Sequence, residues 1–257
     1  MRGFHHLRRA TAGLAASIMA ASGLIVLTST PAQAACTAWT IIGVRGTNDG
    51  TKASLGTQLP TAVSAFKAKK GSANVTTQYV SYPADVWPSW DDGAYTASLK
   101  AGRTALKSKI TTRLKDCPST KLALFGYSQG AHVVGDVVVG LSATQRKSLQ
   151  GVGLIGDPMF NPGLKGSRTG DTKHGGMLGR RASWPSDVYV YDVCNKKDQI
   201  CASYSTAQSF AYLVNPFASP KEHLSYTTTT YSPVKSSSGT VIAGAKAIGE
   251  RVATRTY

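Results

Sequence analysis

Acidic residues are scarce in this chain. Thirteen aspartates and glutamates stand against 29 lysines and arginines among 257 residues, a formal charge of +16. Such a surplus raises nucleic acid as a partner. The basic residues, however, are scattered singly or in pairs such as Lys69–Lys70, Arg180–Arg181 and Lys196–Lys197, with no run, no zinc spacing and no nucleic-acid motif. Charge spread in this way is ordinarily a solvated surface, which argues against nucleic acid and leaves open only a weaker attraction to anionic surfaces or polymers.

Cysteine is also sparse: Cys36, Cys117, Cys194 and Cys201 are the four, and none forms the CxxC spacing of a zinc or redox site. Their spacing suggests no zinc or redox chemistry, and no cofactor is expected. Long apolar runs are lacking too, except near the start. There Arg2, Arg8 and Arg9 precede a mostly apolar stretch over residues 10–27, followed by the small-residue pattern Ala32-Gln33-Ala34. That is the layout of a secretory signal peptide over residues 1–34, which places the remaining chain outside the cell and argues against stable membrane insertion. Setting the three signal arginines aside lowers the formal charge only to +13.

An even number of cysteines in an exported protein points to disulfides. Three pairings are formally possible. Cys194 with Cys201 closes a short loop easily, which leaves Cys36 with Cys117. Residues 35–257 suffice for one substantial core, and no internal repeat or linker interrupts them, so one domain and a monomer are expected.

Five apolar, β-branched runs recur at residues 38–44, 75–80, 121–125, 152–155 and 187–193. Between them, residues 55–69, 95–114 and 131–141 carry apolar positions at helical spacing, and a last helix is expected over 241–252. Residues 163–179, rich in glycine and polar side chains, read as loop. Strands alternating with helices predict an α/β fold with a parallel sheet covered on both faces. In such a sheet the working groups gather beyond the carboxyl ends of the strands.

One motif falls there. Gly126-Tyr127-Ser128-Gln129-Gly130 directly follows the run Leu122-Ala123-Leu124-Phe125 and directly precedes a helical segment. A serine raised on a sharp strand-to-helix turn needs small neighbours, and the new helix directs its free amides and positive dipole end at a developing oxyanion. Ser128 is the candidate nucleophile.

Histidine is scarce as well, with only His132, His174 and His223 beyond the signal segment. His132 lies one turn past Ser128 on the same helix, which fixes its direction and suits packing better than proton transfer. His174 sits in a glycine-rich loop and is expected to be exposed. His223 follows the last predicted strand and fits the chain order nucleophile, acid, histidine. Three aspartates compete as the acid. Asp157 precedes Pro158 in a turn-starting arrangement where aspartate commonly caps its own backbone. Asp192 alternates within a strand, which suits a structural role. Asp198 lies between Cys194 and Cys201, and a disulfide across that interval would pin the loop that carries it, as a carboxylate orienting a histidine requires.

The GYSQG motif after an apolar strand, the Cys-x3-Asp-x2-Cys segment and a histidine 25 residues beyond Asp198 resemble the cutinases over essentially the whole chain after residue 34. The resemblance implies a three-layer α/β hydrolase sandwich with a mostly five-stranded parallel sheet, no metal and no large lid. It assigns Ser128, Asp198 and His223 as a catalytic triad. In Arg45-Gly46-Thr47, otherwise readable as a tight turn after a strand, it assigns Thr47 to an oxyanion hole together with the Gln129 amide. Residues 163–179 and the apolar stretch 212–217 could then shape an acyl pocket, although the second is readable as core packing. The implied partners are esters: cutin-like polyesters, acylglycerols or acetylated polysaccharide. Two other readings stand beside this one, an acetylxylan esterase with the same triad and a non-catalytic protein that adheres to surfaces through its basic charge.

Overall fold

The computed structural model describes residues 36–85, 93–169, 173–203, 221–236 and 238–255. The signal segment 1–34 and the apolar stretch 212–217 lie outside them. Six parallel-paired strands form the central sheet: β1 (Trp39–Val44), β2 (Val75–Tyr79), β3 (Lys121–Tyr127), β4 (Leu149–Ile155), β5 (Ser167–Thr169) and β6 (Val190–Cys194). Their order is β2-β1-β3-β4-β6-β5. The five expected strands are all present. The sixth, three-residue β5 arises inside the segment expected to be loop, where it pairs with Asp192–Cys194 at the sheet edge. Edge pairing satisfies backbone groups without any periodic side-chain pattern, so composition did not reveal it.

Four helices match expected segments: α1 (Leu59–Lys70), α2 (Ala94–Asp116), α3 (Gln129–Val139) and α5 (Gly244–Thr254). Helix α1 starts four residues later than its apolar spacing suggested, with Pro60 in its first turn, where the missing amide hydrogen costs nothing. The last helix also starts late, because Val241–Ala243 (β8) pairs antiparallel with Pro233–Lys235 (β7) before the chain turns helical. A short helix, α4 (Ala143–Lys147), was not foreseen; a reciprocal capping box between Ser142 and Gln145 starts it.

Alternation along each strand builds the two cores. Ile42, Val44, Leu122, Leu124, Val152 and Leu154 pack with α2 and α3 on one face. Ile41, Ala123, Phe125 and Ile155 pack with α1 and α5 on the other. Burying each such Leu, Ile or Phe contributes about 1.5–3 kcal/mol, so a sheet apolar on both faces holds both helical layers. The result is the expected three-layer α/β arrangement, and it aims the carboxyl ends of β1, β3, β4 and β6 at a common rim.

The expected disulfides are both formed. Cys36–Cys117 ties the start of the described chain to the end of α2, and Cys194–Cys201 closes the loop after β6, with Cα–Cα distances of 5.5 and 5.7 Å.

Candidate active site

Ser128 sits between β3 and α3 with φ 54° and ψ −122°, a backbone conformation side chains rarely adopt. Its neighbours enforce the turn. A β-carbon at Gly126 would stand 2.6 Å from the Gly130 carbonyl oxygen, and one at Gly130 would stand 2.0 Å from that of Val44. Glycine is therefore required at both ends of the motif. The Ser128 amide donates to the Ile155 carbonyl at 2.8 Å, which fixes the turn to the end of β4.

His223 and Asp198 meet the serine there. The His223 Nε2 lies 2.9 Å from Ser128 Oγ, and its Nδ1 lies 2.8 Å from Asp198 Oδ2. A carboxylate only accepts, so Nδ1 carries the hydrogen and Nε2 turns its lone pair to the hydroxyl. The second Asp198 oxygen accepts from the Ile200 amide at 2.9 Å. His223 is 5% exposed and Asp198 wholly buried, whereas Ser128 is half-buried, so the chain of hydrogen bonds is most accessible at its serine end.

The rival candidates are placed elsewhere. His132 binds Tyr95 Oη through Nδ1 at 3.1 Å and faces Asp136 through Nε2 at 3.4 Å. Burial lowers its proton affinity, although the Asp136 charge opposes this. Asp157 caps the Met159 amide at 2.9 Å, as its turn sequence implied, and pairs with Arg181 at 3.2 Å. Asp192 is buried within β6, and burial, reinforced by the charge of Asp157, pushes its carboxyl well above the usual range. His174, expected to be exposed, is half-buried.

Gln129 is the first residue of α3, so its backbone amide is one of those a helix leaves without an internal partner. Its side chain is engaged away from the serine: Oε1 accepts from Ser98 Oγ at 3.0 Å and Nε2 donates to the Asp85 carbonyl at 3.4 Å. Thr47, half-buried, follows the glycine that faces the nucleophile, since a β-carbon on Gly46 would lie 3.1 Å from Ser128 Cβ. Arg45 does not reach into the site. It is buried and donates to the Tyr82 and Pro83 carbonyls at 2.8 and 2.9 Å, fastening the turn after β1.

Several contributors escaped the sequence reading. Tyr127, inside the serine motif, stacks on His223 with centroids 5.1 Å apart and donates to its carbonyl at 2.8 Å. Tyr226, three residues past His223, donates to Asp198 Oδ2. Gln58, just before α1, donates to the Leu224 carbonyl at 3.0 Å and accepts from the Tyr226 amide at 3.1 Å, so it holds the histidine segment. Only the adjacency of the tyrosines to Ser128 and His223 hinted at them. Among the described residues, no cluster of His, Cys, Asp and Glu could hold a metal ion, and no helix is long and apolar enough to cross a membrane.

A serine hydroxyl within hydrogen-bond reach of a buried histidine at the carboxyl edge of a parallel sheet is an arrangement suited to acyl transfer, and residues 35–233 match the family model described as Cutinase. The chain belongs to the cutinase family. The cutinase of Botryotinia fuckeliana is 34% identical over 146 residues, covering 56% of this chain and 69% of that protein. Acetylxylan esterase 2 of Talaromyces purpureogenus is 32% identical over 149 residues, covering 51% of this chain and 63% of that one. A solved acetylxylan esterase structure aligns at a TM-score of 0.58 and 27% identity, covering 74% of this chain and 100% of its own. With its family and these relatives, this cutinase-family protein is a serine carboxylic ester hydrolase.

Proposed function

We propose that Ser128, His223 and Asp198 are the catalytic triad of a secreted esterase that cleaves cutin-like polyesters or short- to medium-chain acyl esters. The hydrogen-bonded chain from Asp198 Oδ2 through His223 to Ser128 Oγ, at 2.8 and 2.9 Å, carries this reading. Ser128 Oγ attacks the ester carbonyl while His223 Nε2 takes the hydroxyl proton, and Asp198 stabilises the imidazolium that forms. The Gln129 amide, with the amide and hydroxyl of Thr47, receives the developing oxyanion; removing one such donor commonly costs 10²–10³ in kcat. The alcohol leaves with the proton from His223. Water, deprotonated by the same histidine, then releases the acid and regenerates the serine. Cleavage after Ala34 would deliver the chain to an oxidising exterior, where its two disulfides are stable.

A second reading, deacetylation of xylan, is favoured by the likeness to acetylxylan esterases in sequence and structure. Hydrolysis of p-nitrophenyl acetate, butyrate and palmitate separates the two, because strict preference for acetyl favours the xylan esterase and activity on butyrate or longer chains favours the cutinase reading. Ser128→Ala and Asp198→Asn should each lower kcat by about 10⁴-fold, while Asp157→Asn retains a folded enzyme's activity. A folded protein inactive on every ester would replace this proposal with the non-catalytic, surface-adhering reading.

A further inference from the structure

Tyr226 is wholly buried, and its ring stands edge-on to that of His223 with centroids 6.4 Å apart at 86°. Its hydroxyl donates to Asp198 Oδ2, the same oxygen that accepts from His223 Nδ1. That hydroxyl also accepts from the Asn195 amide at 3.1 Å and lies 3.3 Å from Cys201 Sγ. The backbone of Tyr226 is fastened on both sides: its amide donates to Gln58 Oε1 at 3.1 Å, and its carbonyl accepts from the Ala245 amide at 3.0 Å. One side chain thus joins the disulfide loop that bears Asp198 to the segment that bears His223.

We infer that Tyr226 is a positioning residue: it holds Asp198 Oδ2 in line with His223 and sets how readily the Asp198–His223 pair takes up a proton. The inference rests on the triad reading above. A buried carboxylate must have its lone pairs occupied, and the Ile200 amide serves only the other oxygen. A neutral donor on Oδ2 favours the charged carboxylate without adding a cation beside the imidazole, and it shares the electron density that His223 would otherwise hold alone. Burial, then the charge of Asp198, pushes the phenol well above its ordinary range, so it remains a donor at every pH at which the enzyme works. Without this hydroxyl, Oδ2 becomes the stronger partner for an imidazolium and the pair becomes more basic.

The test is Tyr226→Phe, which keeps the ring against Tyr127 and His223. The expected result is a fall in kcat of about 10- to 100-fold with KM within about twofold, and an acid limb of kcat/KM displaced to higher pH, since that limb reports the free enzyme's base. In an Asp198→Asn background the same substitution should cost nothing further, because Tyr226 acts through Asp198. Should Tyr226→Phe not fold, 3,5-difluorotyrosine at position 226 supplies a stronger donor in the same volume and should move the acid limb to lower pH. An acid limb that stays in place in either protein, or a full additional loss in the double variant, overturns the inference. Ser128→Ala separates the two levels: if it keeps ester hydrolysis, the triad reading itself falls. If it abolishes hydrolysis while the limb of Tyr226→Phe is unmoved, only the role of Tyr226 falls.

Discussion

Gly156 backs directly onto the imidazole of His223. A β-carbon there would lie 2.9 Å from His223 Cε1 and 3.3 Å from Asp198 Oδ2, and the residue holds φ at +60°. The turn leaving β4 is thus shaped by the absence of a side chain, and the histidine occupies the space.

Gly156→Ala should displace the ring from Ser128. An error of about 1 Å in a reacting group costs on the order of 10²-fold in rate, so kcat should fall by 10- to 100-fold while the far-UV spectrum stays native. Wild-type kcat in this variant would show that the ring is not seated against Gly156.

Arg181 spans the gap between α3 and the turn after β4. Its Nη1 bonds Asp136 Oδ1 at 2.9 Å, its Nη2 bonds Asp157 Oδ2 at 3.2 Å, and its guanidinium lies over the Trp184 ring at 5.0 Å. Asp136 keeps Arg103 at 3.0 Å, whereas Asp157 is fully buried. Arg181→Met should therefore destabilise the fold by about 3–5 kcal/mol, the usual cost of stranding a buried charge, measured by urea unfolding. Arg181→Met with Asp157→Asn should recover part of that loss.

Asp192 gives stability a pH dependence of known sign. Its carboxyl is raised by burial first and the Asp157 charge second, and its Oδ1 has no hydrogen-bond partner among the described residues. A raised folded-state value means that its contribution is fully present below the unfolded value of about 3.9 and is lost as pH rises toward the folded value. Asp192→Asn removes that loss. The variant should gain stability relative to the parent as pH rises above about 4, with the gap in unfolding free energy widening until the folded-state value is passed. A gap that narrows over this range contradicts the assignment.

The disulfides should separate stability from activity. Cys36–Cys117 closes an interval of 81 residues and Cys194–Cys201 one of 7. Chain entropy assigns them about 4–5 and about 2–3 kcal/mol respectively. Replacing the first pair with alanines should lower Tm more and leave kcat near the parent value. Replacing the second should lower Tm less yet reduce kcat, since Asp198 sits on that loop. Equal loss of kcat in both variants would show that the short loop has no special hold on Asp198.

The strands and the serine turn were legible because both are local. Leu122, Ala123, Leu124 and Phe125 alternate between the two cores, and Gly126 and Gly130 answer to clashes within a few residues of Ser128 or with the adjacent strand end. Strand β5 carried no such signal, because three residues at a sheet edge are ordered by the partner strand and not by their own pattern. The late start of α5 has the same origin, since the β7–β8 pairing claims residues whose spacing also suits a helix.

By itself, the amino-acid order determined the alternation of strand and helix, the place of Ser128 on its turn and the short cysteine interval around Asp198, each set by periodicity or by sterics between near neighbours. Tertiary structure decided which histidine reaches the serine 95 residues away, which aspartate reaches that histidine, and that Gly156, Tyr127 and Tyr226 frame it. The reason is physical: these contacts join the turns after β3, β4 and β6 to a later segment that carries His223 and Tyr226, and their separation in sequence carries no distance until sheet order brings β3, β4 and β6 side by side.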